Sequence, residues 1–284
     1  LRRKGGFRLK AADLNMTQDI LGHARFHFIT LTLEEEDPAL VEDMGTLCKM
    51  MENMHVIQGH PTTEAFRRGR FQYLRAEPLK SREKDIPHPE VAKADVLVRT
   101  ECATPETLEN YEEGLRTLIE ERGGSVETLQ GIQKSRSYTS YAMTQFAYAP
   151  ALAPASGEHL PLAVVTPQRK TREWWEMDWM RRESFFLPRY DANGRMAAKG
   201  HALATEAGIP CINRRLFHHP EGYGLPEGYD FVGYFEFAEK SAESFRSVMA
   251  SLRNTSVNPE WEYVKEGPEW WGRRVGLTKD LWRN

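Results

Sequence analysis

Residues 95–133, DVLVRTECATPETLENYEEGLRTLIEERGGSVETLQGIQ, read as a strand, a helix and a strand. Asp95 to Cys102 is rich in β-branched residues, which suit a half-buried pleated surface. Thr104 and Pro105 then open a helix, a capping residue followed by a proline where the missing N–H costs nothing. Leu108, Tyr111, Leu115, Leu118 and Ile119 recur on one helical face, and Gly123-Gly124 stops the run. Val126 to Gln133 returns to an extended pattern.

The same elements precede this stretch. Arg25 to Leu33 reads as a strand, and Asp37-Pro38 starts a helix whose apolar positions are Leu40, Met44, Leu47, Cys48, Met51 and Met54. Arg70 to Leu74 is a short strand, and residues 76–93, with three prolines and many charges, are a connection. Residues 1–24 form an N-terminal arm, and residues 25–142 make one β-α-β-β-α-β unit. Residues 143–161, rich in Ala and Pro, form a linker.

The order then repeats over residues 162–268. Leu162 to Thr166 is a strand, and Glu173 to about Glu206 is one long helix interrupted near Pro188 to Gly194. Cys211 to Phe217 and Tyr229 to Phe237 are strands. Ser241 caps a helix whose buried face is Phe245, Val248, Met249 and Leu252, and Trp261 to Lys265 is the last strand. Residues 269–284 are a C-terminal tail in which Trp270-Trp271 is structural or a subunit contact. Two such units are tandem ferredoxin-like repeats. Packing their bare sheet faces together predicts an α+β fold of the dimeric α+β barrel type, with room for a ligand between sheet and helices.

Composition narrows the partners. The chain has 284 residues, 28% of them charged, with a formal net charge of −3, which speaks against a nucleic-acid surface. No apolar run reaches the length of a membrane span, and no apolar stretch of a signal peptide follows the basic N-terminus. Cys48, Cys102 and Cys211 are too widely spaced for a disulfide framework or a zinc site. The expected partner is a small molecule, with neither nucleic acid nor membrane, and the expected setting is cytoplasmic.

His201 and Arg214, thirteen positions apart, flank a break at Gly208 and Pro210. A neutral imidazole on a helix and a guanidinium on the next strand can face each other across a flat cofactor. By itself the pair is ordinary: a helical histidine is usually a core or surface residue, and Arg215 and His218-His219 offer rival roles. Trp174 and Trp175 open the long helix pointing in different directions, so one can line a pocket while the other packs. Arg136, Ser137 and Tyr138 after the first unit's last strand can bind a carboxylate, or form a polar strand end. Residues 222–228, GYGLPEG, lack the lysine of a phosphate loop and read as a turn.

The second half resembles the chlorite dismutase family of haem proteins, which includes the coproheme decarboxylases. The likeness rests on VETLQGIQK with Ser137-Tyr138, on TPQRK before EWWEM, on His201 thirteen positions ahead of Arg214 in NRRLFHH, and on YDFVGYFEF from Tyr229. It covers roughly residues 95–268. The resemblance implies haem b ligated by His201 as the metal ligand, Arg214 opposite it, Trp174 or Trp175 near the propionates, and Arg136, Ser137 and Tyr138 as propionate contacts. It implies an oxidoreductase turning chlorite into chloride and O2, in a homo-oligomer, by preference a pentamer. Haem peroxidase activity on an organic substrate and non-catalytic haem binding are the alternatives. Thr166 stands where coproheme decarboxylases carry a radical-forming tyrosine, and Arg214 where they commonly carry glutamine, so the likeness favours the chlorite dismutase side. Residues 181–200 include about twelve more than the family pattern, and the acidic partner of the histidine falls at Asn258 or Glu260.

Overall fold

The computed structural model describes residues 20–33, 37–57, 71–78, 85–102, 104–134, 160–225, 228–275 and 278–282. The first half contains β1 (Ile20–Thr30), α1 (Pro38–Ile57), β2 (Phe71–Ala76), α2 (Pro89–Lys93), β3 (Val96–Cys102), α3 (Pro105–Glu120) and β4 (Ser125–Lys134). The expected starts and stops are set by local chemistry. Asp37 Oδ1 accepts the Leu40 N–H at 3.0 Å and so caps α1. Gly123, at φ +77°, turns the chain out of α3.

The second half contains β5 (Leu162–Lys170), α4 (Arg172–Glu176), α5 (Trp179–Ser184), β6 (Arg189–Tyr190), β7 (Met196–Ala198), α6 (Gly200–Ala204), β8 (Ile212–His218), β9 (Phe231–Phe237), α7 (Ala242–Arg253), β10 (Val264–Glu266) and β11 (Trp270–Val275). Four expectations change here, the first at the expected strand from Trp261 to Lys265, where Pro259–Tyr263 is a 3₁₀ turn and only Val264–Glu266 is strand. The single long helix from Glu173 is three short helices and a hairpin. Asp178 accepts the Arg181 N–H at 2.9 Å and restarts the chain as α5, and β6 pairs with β7 across a turn whose Asp191 carboxylate accepts the Asn193 and Arg195 N–H groups. Ser241 stands at the cap position of α7, but its hydroxyl makes no capping bond. Residues 269–284 are not all tail. Trp270 to Val275 form β11, which pairs with both β5 and β2.

Eight strands close into an antiparallel barrel in the order β5-β11-β2-β3-β1-β4-β8-β9, with β9 returning to β5 and β10 extending the far end of β5. The halves meet edge to edge, β4 on β8 and β2 on β11, so no sheet edge is left between them. Successive residues of a strand face opposite sides. Along β5, Ala163 and Val165 face the barrel interior with Phe26, Phe217 and Trp270, while Leu162 and Val164 face outward beneath α6 and α7 with Ala204 and Phe245. Trp270 and Trp271 divide the same way, one in each core, which gives both indoles a structural role. Both faces of these strands are therefore buried, and their sequences lack a clean polar alternation.

One end of the barrel interior is ionic. Arg215 donates to both Glu101 oxygens at 2.9 and 3.0 Å, Arg99 pairs with the same carboxylate, and Arg274 pairs with Glu236, which also accepts Tyr234 Oη at 2.8 Å. Arg215 thus belongs to the interior and is excluded from the rival role open to it in the sequence. Helices cover the outer face of the second half's sheet, and His201 and Trp174 belong to that layer.

Candidate functional site

His201 is the second residue of α6 and is 7% exposed. Its position is fixed by the backbone around it. Lys199 and Gly200 donate to the Val257 carbonyl, and His201 and Ala202 donate to Phe185 and Phe186. Gly200 has φ +68°, and a Cβ there would lie 2.3 Å from the Leu187 carbonyl oxygen, so only glycine lets the chain enter α6 at this point.

The Nδ1–H of His201 donates to Glu260 Oε2 at 2.6 Å. The other carboxylate oxygen takes the Lys170 ammonium, which lies 4.1 Å from the centre of the Trp174 ring. Burial alone would raise the Glu260 carboxyl, but Lys170 and His201 hold it well below the usual carboxylate range. Burial also lowers the His201 pKa, aided by the positive charges of Arg214 and Lys170 and opposed by Glu260. The imidazole is therefore neutral, with its proton on Nδ1. Its Nε2 is buried and has no hydrogen-bond partner among the described residues. A neutral histidine whose Nδ1 is committed to a carboxylate presents its other nitrogen as a ligand.

Arg214 lies on β8, on the same strand face as Ile212, which packs in the core beneath α6 and α7. Its positive charge contributes to lowering the His201 pKa, so the two residues lie within electrostatic reach of each other. Two residues along β8 from Arg214, the same outer face of the sheet presents a row across three strands: Thr166 on β5, Gly233 on β9 and Leu216 on β8, paired in register. A Cβ on Gly233 would sit 3.1 Å from the Phe235 ring and 3.4 Å from the Thr166 methyl, so the glycine keeps this part of the floor low.

No protein-family model and no curated protein matches this chain in sequence. Solved structures do match its fold. Chlorite dismutase from Candidatus Nitrospira defluvii, in complex with imidazole, superposes with a TM-score of 0.63 at 16% identity, covering 93% of this chain and 94% of that one. A mutant of the same enzyme gives 0.63 at 16% identity, with 93% and 95% covered. The fold is that of chlorite dismutase.

Within this chlorite dismutase fold, Trp174 and Trp175 take different surroundings. Trp174 is buried against Phe185, Phe186 and Tyr263, with Lys170 over its face. Trp175 stacks on Tyr223 at 4.7 Å and 14°, and its indole N–H donates to Asp230 Oδ2 at 3.2 Å. Asp230 also accepts the backbone N–H of Lys170 and of Gly224, both at 2.7 Å, and burial pushes its carboxyl up. The loop after β8 is in this way folded down onto Trp175. Arg136, Ser137 and Tyr138 lie outside the described residues, as does most of the expected linker.

The choice between Asn258 and Glu260 is settled by contact. Asn258 donates to the Leu252 carbonyl at 3.1 Å and closes the end of α7, whereas Glu260 reaches His201. Lys170, Asp230 and Tyr223 are members of the site that the sequence reading did not single out. Lys170 lies in the quoted TPQRK run, at the end of the outward face of β5 that begins with Leu162 and Val164.

Proposed function

We propose that this protein is a haem b-dependent oxidoreductase of the chlorite dismutase type, converting chlorite into chloride and O2, with His201 as the iron ligand and Arg214 facing it. One observation carries the reading: a buried neutral imidazole in the helical layer, with Nδ1 held by a carboxylate and Nε2 left without a partner among the described residues, within electrostatic reach of an arginine on the sheet. These residues fit haem. Haem iron would take the free imidazole nitrogen of His201 as a ligand, the ligand type expected of a haem oxidoreductase.

When bound, haem supplies an iron that exchanges oxygen atoms and electrons with a small oxyanion. The chain's own residues do the rest. Glu260 fixes the tautomer of His201 and raises its basicity. Lys170 keeps Glu260 ionised, so the proton stays on Nδ1. Trp174 packs beneath Lys170 and positions it. Arg214 provides a fixed cation that has no transferable proton at working pH and can hold an anionic fragment by a forked pair of hydrogen bonds. Trp175, and Arg136, Ser137 and Tyr138 beyond β4, are the proposed contacts of the propionates.

The finer fold reading belongs to the same proposal. Strand orders β4-β1-β3-β2 and β8-β9-β5-β11 support two ferredoxin-like repeats in a barrel of the dimeric α+β type. Trp179, Met180, Leu187, Tyr190 and Met196 are large apolar residues that stand exposed, which supports a homo-oligomer, pentameric by resemblance. No helix among the described residues is long and apolar enough to cross a membrane, and the proposed setting is cytoplasmic.

Stopped-flow mixing of the haem-loaded protein with chlorite and with hydrogen peroxide tests the activity. Rapid consumption of chlorite with release of O2 is expected. Inertness to chlorite, together with peroxide-driven oxidation of an organic donor, would assign the peroxidase reading instead.

A further inference from the structure

Thr166 is fully buried, yet its hydroxyl has no hydrogen-bond partner among the described residues. A threonine on a strand normally satisfies its hydroxyl or turns it to water, and a buried orphan is retained at a cost to stability. Valine would fill the same space without that cost. The position of the hydroxyl suggests its use.

Thr166 lies on the outward face of β5, between Leu162 and Val164, which pack with Ala204 of α6, and Lys170, which bonds the carboxylate holding His201. Ala204 and His201 are three residues apart and share a face of α6, so the stretch of β5 from Val164 to Lys170 runs beneath His201. Thr166 is paired with Gly233, and Gly233 with Leu216, two residues from Arg214 on the same face of β8. Its methyl group faces the place of the missing Gly233 side chain.

We propose that Thr166 is an anion-binding residue of this site, its hydroxyl donating to the small anion that Arg214 attracts. The inference rests on the haem reading above and adds a second polar group to the sheet side of the site. A hydroxyl gives one directed hydrogen bond and no charge, which suits it to orient an anion that the guanidinium neutralises. It accounts for a fully buried hydroxyl that has no partner among the described residues.

The test compares wild type, Thr166→Val and Thr166→Ser. Each ferric, haem-loaded protein is titrated with fluoride, a hydrogen-bond-accepting anion, by its absorption spectrum, and each haem-free protein is melted. Thr166→Val is expected to bind fluoride about tenfold more weakly, with Thr166→Ser close to wild type, as loss of one charge-assisted hydrogen bond requires. Haem-free Thr166→Val is expected to melt at or above the wild-type temperature. Unchanged fluoride affinity in Thr166→Val, or a melting temperature well below wild type, overturns the role of Thr166 while leaving the haem reading intact. A wild-type protein that takes up no haem overturns both.

Discussion

Replacing Glu260 by alanine is expected to lower stability by about 3–5 kcal/mol, because it strips the partner from a buried ammonium. Lys170 has only about a tenth of its side chain exposed, and its ammonium faces the Glu260 carboxylate and the Trp174 ring. His201 would lose its acceptor in the same stroke. Haem affinity is expected to fall roughly 10–100-fold, the usual effect of removing the acceptor behind a ligating histidine. Glu260→Gln should fall between, since an amide oxygen still accepts from Nδ1 but carries no charge for Lys170.

The acid limb of the stability curve carries the same signature. The Glu260 carboxyl is depressed in the folded protein, so its contribution is present above the ordinary carboxylate value of 4.5 and is lost as pH falls through and below it. The His201 imidazole is also depressed, so the unfolded chain takes a proton near 6.5 that the folded one refuses, and stability falls from there downward. Both act in one direction. Thermal melts from pH 7 to pH 3 should show a steady loss in the wild type and a shallower loss below pH 4.5 in Glu260→Ala.

Arg214→Ala is expected to keep its haem and to lose chlorite turnover by about 10²–10³-fold, the scale on which a preorganised charge at a reacting anion is lost. The positive charge of Arg214 helps to lower the His201 pKa. Its removal should therefore leave the axial spectrum unchanged and raise the His201 pKa slightly. Released hypohalite should be trapped by a chlorination assay in the variant and not in wild type. Full turnover with no released hypohalite in Arg214→Ala would remove this residue from the mechanism. Arg214→Lys should recover part of the rate, since it restores the charge but not the planar fork.

The fold was legible where single elements follow local rules. Asp37-Pro38, Thr104-Pro105 and Gly123-Gly124 mark helix ends by chemistry contained within a few residues, and the structure places the ends there. Residues 172–206 were harder. Their apolar residues pack in a small separate core around Trp174, Phe185 and Phe186, which imposes no helical period on the whole stretch. The restart at Asp178 was visible in principle, since aspartate is a preferred N-cap residue and its carboxylate accepts the Arg181 N–H. β11 was missed because both its faces are buried, and two adjacent tryptophans do not look like an alternating strand.

The candidate site divides in the same way. His201 and Arg214 were singled out by residue type and spacing together with the family resemblance. Glu260 could not be separated from Asn258, because the 3₁₀ turn at Pro259–Tyr263 decides which of the two turns toward α6, and sequence distance carries no such information. Lys170 and Asp230 reach the site from 90 and 55 residues away from the groups they hold, Glu260 and Trp175. Only the closed barrel brings these strand ends and loops together.

The central claim is that His201 ligates haem iron, and one measurement tests it most directly. The purified protein, loaded with haem and freed of excess, is examined for a Soret band beside His201→Ala prepared identically. The account predicts a sharp band in the wild type that is lost or broadened and shifted in the variant, with the haem-free melting temperature of the variant lowered only modestly. A wild-type protein without the band, or a variant that keeps it unchanged, would contradict the account.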